Sequence, residues 1–249
     1  MNTNEIFNST WGICAICSGV FWVLTYAAIV WRGFKDRSFG MPIVALSANI
    51  SWEAIYSFIY IPPGQLLHYS SIAWFLFDLP IALQCFLYGV NDFKSPFISK
   101  NFRIIFLAAI AICFTVILEV VYEFNDTRGV YTGFGQNLMM SILFVCMLIR
   151  RDDISGQSIY IAIFKFLGTL FAFLSLFFVL PASINVSSSI PATLTEIMFN
   201  NIYPLTSLIK VLYLVTLMFD VLYIVLLYRK FRKKEINPWT RLLFTPYLA

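Results

Sequence analysis

Seven stretches of about twenty apolar residues, each long enough to cross the hydrocarbon core of a bilayer, divide this chain between residues 11 and 228. They fall at 11–31, 41–61, 70–90, 103–124, 132–149, 160–181 and 203–228. Inside a bilayer the backbone must satisfy its own hydrogen bonds, and continuous apolar runs of this length do so as α-helices. The expected fold is therefore all-α: a polytopic membrane protein, one seven-transmembrane-helix bundle over 1–249, ending in a basic tail at 229–249. Composition agrees, since 60% of the residues are hydrophobic and 12% charged, where a soluble domain carries about 25% charged.

The connecting segments alternate in charge. Arg32, Lys35 and Arg37 follow the first span, Lys94, Lys100 and Arg103 the third, Arg150 and Arg151 the fifth, and a basic run the seventh; the other side carries only Arg128. The positive-inside rule then places the N-terminus outside or lumenal and the C-terminus in the cytoplasm. Five of the seventeen Lys and Arg lie in Arg229–Lys234, which reads as a stop-transfer anchor at a lipid surface. No nucleic-acid motif accompanies it. A cleavable signal peptide is not expected, because the first basic residue, Arg32, follows the first apolar run. Three glycosylation sequons, at Asn8, Asn125 and Asn185, fall in expected outer segments, as in a protein of the endoplasmic reticulum or another endomembrane. Segment 182–202 is the longest expected outer loop.

Ionisable groups inside a membrane cost roughly 2.5–3.5 kcal/mol each on insertion scales and are functional candidates by default. Here they are Glu53, Asp78, Glu119 and Asp220, with Lys165 and Lys210. Asn49, Glu53, Tyr56 and Tyr60 share one helical face; so do Trp74, Asp78, Ile81, Cys85 and Tyr88, and so do Lys210, Tyr213, Asp220 and Tyr223. Helical rise from the cytoplasmic ends brings Glu53, Asp78 and Asp220 toward a common mid-membrane level. An acid is followed three residues later by Tyr in Glu53/Tyr56, Glu119/Tyr122 and Asp220/Tyr223. The plainer reading is mutual satisfaction, for instance Lys210 with Glu119 or Asp78. Lys165, near the start of its span, is expected to snorkel, and His68 to be a solvated loop residue. The five cysteines, including the Cys14/Cys17 C-x-x-C, lie in apolar runs and read as ordinary small apolar residues.

A carboxylic acid in a low-dielectric cavity resists ionisation and can serve as a general acid, and aromatic faces stabilise a developing cation. Such a site suits cyclisation of an apolar polyprenyl chain; it suits a proton relay as well. No D-D-x-x-D metal motif of the diphosphate-ionising type is present: Asp152 and Asp153 sit beside Arg150 and Arg151. With one His there is no His/Cys metal cluster, and neither G-x-S-x-G nor a P-loop occurs. No metal and no cofactor are expected. Lys210 in the seventh span is a feature of microbial rhodopsins, but the Asp that precedes their retinal lysine by four residues is Thr206 here, and the stretch Trp74–Pro80 lacks their arginine.

The segment Ala45–Tyr60, with Asn49, Trp52, Glu53 and Tyr56 in an N-x-x-W-E-x-x-Y pattern, resembles the small membrane-bound terpene cyclases of meroterpenoid and indole-diterpene pathways, the pyripyropene and paxilline types. Phe219–Tyr223 before the basic tail, Arg150–Arg151 before Gly156–Ser158, and Lys165–Thr169 match in order. The resemblance implies an enzyme that protonates an epoxide or terminal alkene of a prenylated aromatic or indole substrate and guides the resulting cation. It implies Glu53 and Asp220 as catalytic acids; Asn49, Trp52, Tyr56, Trp74, Asp78, Tyr213 and Tyr223 are the expected lining residues. A prenyltransferase and an epoxidase are the implied pathway neighbours. The alternative from the residues alone is a proton-coupled transporter or a receptor-like seven-helix protein.

Overall fold

The computed structural model describes residues 9–62, 64–183, 201 and 203–243. Among these residues there are seven α-helices and no strand: α1 Thr10–Asp36, α2 Ile43–Phe58, α3 Gln65–Tyr88, α4 Pro96–Phe124, α5 Val130–Arg151, α6 Ile159–Ser183 and α7 Ser207–Lys233, with a single 3₁₀ turn, Gly89–Asp92, after α3. Asn8, Asn185 and nearly all of the expected outer loop 182–202 lie outside the described residues. Asn125 is exposed and closes α4 in the left-handed conformation.

Six helices, all but α2, are long and apolar enough to cross a membrane. The expected span at 41–61 is the one that falls outside this set, because its helix has only 16 residues. At about 1.5 Å per residue it spans roughly 24 Å, short of a hydrocarbon core of about 30 Å. Proline sets both limits. Pro42 is the N-cap, and Pro62–Pro63–Gly64 follow Phe58 within six residues, where proline removes donors and disfavours helix in the residue before it. Twelve of the sixteen α2 residues are buried, against three of the 29 in α4 (Phe102, Phe106 and Val121). So α2 is an inner helix and α4 a peripheral one.

Around the bundle α1 packs along α6 and against α3, α3 against α2, α2 against α4 and α5, α5 against α7, and α7 against α6, which closes the ring. The α1–α6 seam is close because of a glycine. A Cβ on Gly168 would stand 2.9 Å from the Trp22 ring, and the Gly168 carbonyl accepts the Ser18 hydroxyl at 2.8 Å.

At the basic end the chain ties itself together. Arg32, Asp36 and Arg241 are all buried; Asp36 accepts from Arg32 Nε at 2.8 Å, from Arg241 at 2.7 Å and from the Gly156 amide at 2.9 Å. Gln157 donates to the Gly40 carbonyl at 3.1 Å and accepts from Tyr223. The Gly156–Ser158 motif is thus an elbow that joins the end of α1, the approach to α2 and the start of α6 to Tyr223 within α7. The basic run also begins within α7, which continues through Lys233.

Candidate active site

Two polar clusters lie inside the bundle, and α1 touches both. In the first, α2 presents Asn49 and Glu53 one turn apart, and α3 presents Asp78. Glu53 lies ten residues from the start of α2 and Asp78 ten from the end of α3, so both stand about 15 Å from the basic end. The Asn49 side-chain amide reaches three oxygens: Glu53 Oε1 at 2.8 Å, Asp78 Oδ2 at 2.8 Å and Tyr26 Oη at 2.6 Å. Tyr26, from α1, donates to Glu53 Oε1 at 2.8 Å. All four residues are at most 4% exposed. The second oxygen of each acid, Glu53 Oε2 and Asp78 Oδ1, is buried without a hydrogen-bond partner. Among the described residues no Lys or Arg pairs with either acid.

The second cluster joins α5, α6 and α7. Lys165 Nζ lies 2.6 Å from Asp220 Oδ1 and donates to Ser141 Oγ at 2.5 Å and to Asn137 Oδ1 at 3.4 Å. The Asn137 amide donates to Thr169 Oγ1 at 3.0 Å. Lys165 and Asp220 are each 1% exposed, so the snorkelling expected of Lys165 is overturned: the side chain turns inward to an acid instead of outward to the interface. Asp220 Oδ2 is buried and unpartnered. Between the clusters stand Trp22 and Tyr26, ring centroids 5.8 Å apart. The Lys165 ammonium lies 5.8 Å from the Trp22 ring, while Tyr26 bonds Glu53, so one face of α1 connects the two acids.

The expected lining residues divide. Trp52 and Tyr56 are buried and pack with ring centroids 4.6 Å apart and planes tilted by 44°. Trp52 Nε1 donates to Thr132 Oγ1 at 3.0 Å, and Tyr56 donates to the Asp126 carbonyl. Trp74 is partly buried with its Nε1 unpartnered. Tyr213 donates to the Thr169 carbonyl at 3.0 Å and packs on Phe134 and Phe173, and Tyr223 packs on Phe144 at 5.2 Å. The acid-to-Tyr spacing does not build a pair: Tyr56 and Tyr223 hydrogen-bond away from Glu53 and Asp220. Glu119, expected in the apolar interior, is exposed on α4, a helix whose side chains mostly face outward. His68 is not in a loop but in the first turn of α3, 3.1 Å from the Ser57 carbonyl. The cysteines are free thiols, and no cluster of metal-ligating residues occurs among the described residues.

Sequence reasoning missed Tyr26, Asn137 and Ser141. For the last two a signal existed, since both are polar residues four apart on one face of an apolar helix. Tyr26 gave none, being one of thirteen Tyr.

The profile of the Pyr4-like transmembrane terpene cyclases matches residues 4–233. Similar proteins include the Pyr4-family terpene cyclase mfmH of Annulohypoxylon moriforme, 30% identical over 161 residues, 63% of this chain and 66% of that protein. Asnovolin H synthase nvfL of Aspergillus novofumigatus is 25% identical over 63% of this chain and 65% of its own. The terpene cyclase macJ of Penicillium terrestre is 28% identical over 65% and 64%. The matches thus span a little under two thirds of these relatives' lengths. No solved structure matches the chain. With the profile covering nearly all of the sequence, this chain belongs to the Pyr4-like transmembrane terpene cyclases.

Proposed function

We propose that the protein is a terpene cyclase that protonates an epoxide or terminal alkene of a prenylated aromatic or indole substrate and steers the carbocation to a cyclised product. It works as a seven-helix protein of the endoplasmic reticulum or a related endomembrane, with the basic end in the cytoplasm, and follows a prenyltransferase and an epoxidase in a secondary-metabolic sequence. The observation that carries this reading, beside family membership, is that Glu53 and Asp220 each keep one carboxyl oxygen buried and unpartnered. A buried polar atom without a partner is costly, and a substrate's epoxide oxygen or developing cation would complete it. No metal or cofactor enters the reaction.

The chemistry follows from the surroundings. Tyr26 and Asn49 fix the Glu53 carboxyl through Oε1, which leaves Oε2 as the atom that meets substrate. Trp22, Trp52, Trp74 and Phe144 offer π faces that lower the energy of a passing cation without a nucleophile to trap it. An apolar substrate enters from the bilayer, where its prenyl chain is already dissolved.

Microsomes carrying the protein, incubated with epoxidised and plain farnesyl and geranylgeranyl phenols and indoles, test the reading by product analysis. A positioned general acid contributes about 10²–10⁴-fold, so Glu53→Gln should lose at least about 100-fold. Wild-type rates in Glu53→Gln and Asp220→Asn would overturn the assignment. Proton-dependent uptake by proteoliposomes, lost in Glu53→Gln and without product formation, would replace it with transport.

A further inference from the structure

The two acids sit in opposite electrostatic settings. Glu53 shares one neutral amide with a second carboxyl, Asp78, and has a phenol as its other donor; two carboxylates converging on one amide in an apolar interior would repel with nothing to compensate them. Asp220 faces an ammonium at 2.6 Å, and that ammonium is itself held by Ser141 and Asn137. An ion pair this buried persists where further hydrogen bonds satisfy its members, and three acceptors surround Lys165 Nζ. The Asn137 amide, oriented by Thr169, turns its oxygen toward the lysine.

We infer that Lys165 is a positioning residue that keeps Asp220 as a carboxylate, so that Asp220 receives the proton that ends the cascade while Glu53, joined to Asp78 through Asn49, supplies the one that starts it. The inference rests on the cyclase reading above and divides its two acids between two steps. In the first, the Glu53 O–H bond breaks and its proton joins the epoxide oxygen. The C–O bond opens toward that oxygen, which becomes a hydroxyl, and the alkene π pairs close C–C bonds in turn. With a terminal alkene the proton joins carbon instead. In the last step Asp220 Oδ2 takes a proton from the carbon beside the final cation, and the C–H electron pair becomes the new alkene. The net change is an isomerisation, with one proton lost at Glu53 and one gained at Asp220; exchange with solvent after product leaves restores both. Trp22, against the Lys165 ammonium and one turn from Tyr26, lies along the route between the two steps.

The test compares Lys165→Met, Asp220→Asn, the double variant and Glu53→Gln, with both substrate consumption and product identity read on the same epoxyprenyl phenols and indoles. Removing both charges of a buried pair is often neutral for stability, so thermal unfolding in detergent of the double variant provides a folded reference. The expected result is that Glu53→Gln leaves substrate unconsumed. The three variants of the pair still consume it, about tenfold or more slowly, and share one altered product profile of early-terminated or water-quenched skeletons. A merely structural lysine would lower yield without changing product identity. Wild-type products at wild-type rate from Lys165→Met overturn the inference. So does a folded double variant that leaves substrate untouched, which would make Asp220 part of initiation and leave the cyclase reading standing. Wild-type protein that converts none of the panel overturns the cyclase reading and this inference with it.

Discussion

Asn49 has two N–H bonds to share among three oxygens, and that shortage makes its position informative. Substitution by Leu keeps the volume but withdraws both donors, leaving Glu53, Asp78 and Tyr26 to rearrange among themselves. A buried polar group left without its partner costs about 1–3 kcal/mol, so Asn49→Leu should lower the unfolding temperature in detergent and abolish cyclisation. Tyr26→Phe removes one donor to Glu53 at nearly constant shape; the expected loss is about 1 kcal/mol of stability, with a fall in turnover. Activity assays paired with thermal unfolding separate the two, and a Tyr26→Phe protein as active as wild type would detach α1 from the site. Asn49, Glu53 and Asp78 were legible because helical spacing and depth are written in each span by itself. Lys165 was misread for the complementary reason. Its depth in α6 permits snorkelling, and only the packing of α6 on α7 reveals an acid 55 residues away in sequence.

The helices obey two different sets of signals. Apolar length located all seven, but ends are set by caps and breakers that a hydropathy run does not contain. α1 runs on through Arg32 and Asp36, past the apolar stretch, because those two residues are buried against Arg241. At the start of α5, Asp126 accepts from the Val130 and Thr132 amides at 2.9 and 2.8 Å and from the Thr132 hydroxyl at 2.8 Å. Gly129, the N-cap, has φ of 66°, and a Cβ there would stand 2.6 Å from Trp52 and 2.9 Å from Tyr56. Left-handed backbone and an aromatic wall both demand glycine. Gly129→Ala should therefore destabilise by about 1–3 kcal/mol and displace the Trp52–Tyr56 ring pair, visible as a shift in tryptophan fluorescence together with a lower unfolding temperature. Asp126→Ala should cost about 0.5–2 kcal/mol while leaving Gly129 in place, so the two variants tell cap loss from strain.

For the whole molecule the basic end joins what the apolar layer cannot, because helices immersed in lipid gain little from apolar contact with each other. Charge patterning exposed that end as a run of cations beside lipid. Arg241 is outside the run, and the acid that explains it, Asp36, is 205 residues earlier. The segment after α7 folds back on α1: Arg241 reaches Asp36, the Arg241 carbonyl accepts from Arg32 Nη1 at 2.6 Å, and Trp31 Nε1 donates to the Leu242 carbonyl at 3.0 Å. These bonds hold α1, the helix that carries both Trp22 and Tyr26, at a fixed depth against α6 and α7. Removing one member of a buried charged set costs roughly 3–5 kcal/mol because the others are left uncompensated. Asp36→Ala strands two arginines that are 0% exposed and should be among the most destabilising single changes in the chain. Truncation after Ile236 removes Arg241 with its strap and leaves Arg32 still paired to Asp36, so it should cost less stability than Asp36→Ala. It should still slow cyclisation, since α1 loses its anchor while every residue of the two acid clusters remains. Thermal unfolding ranks the two variants, and full activity in the truncated protein would show that the depth of α1 is set within the bundle alone.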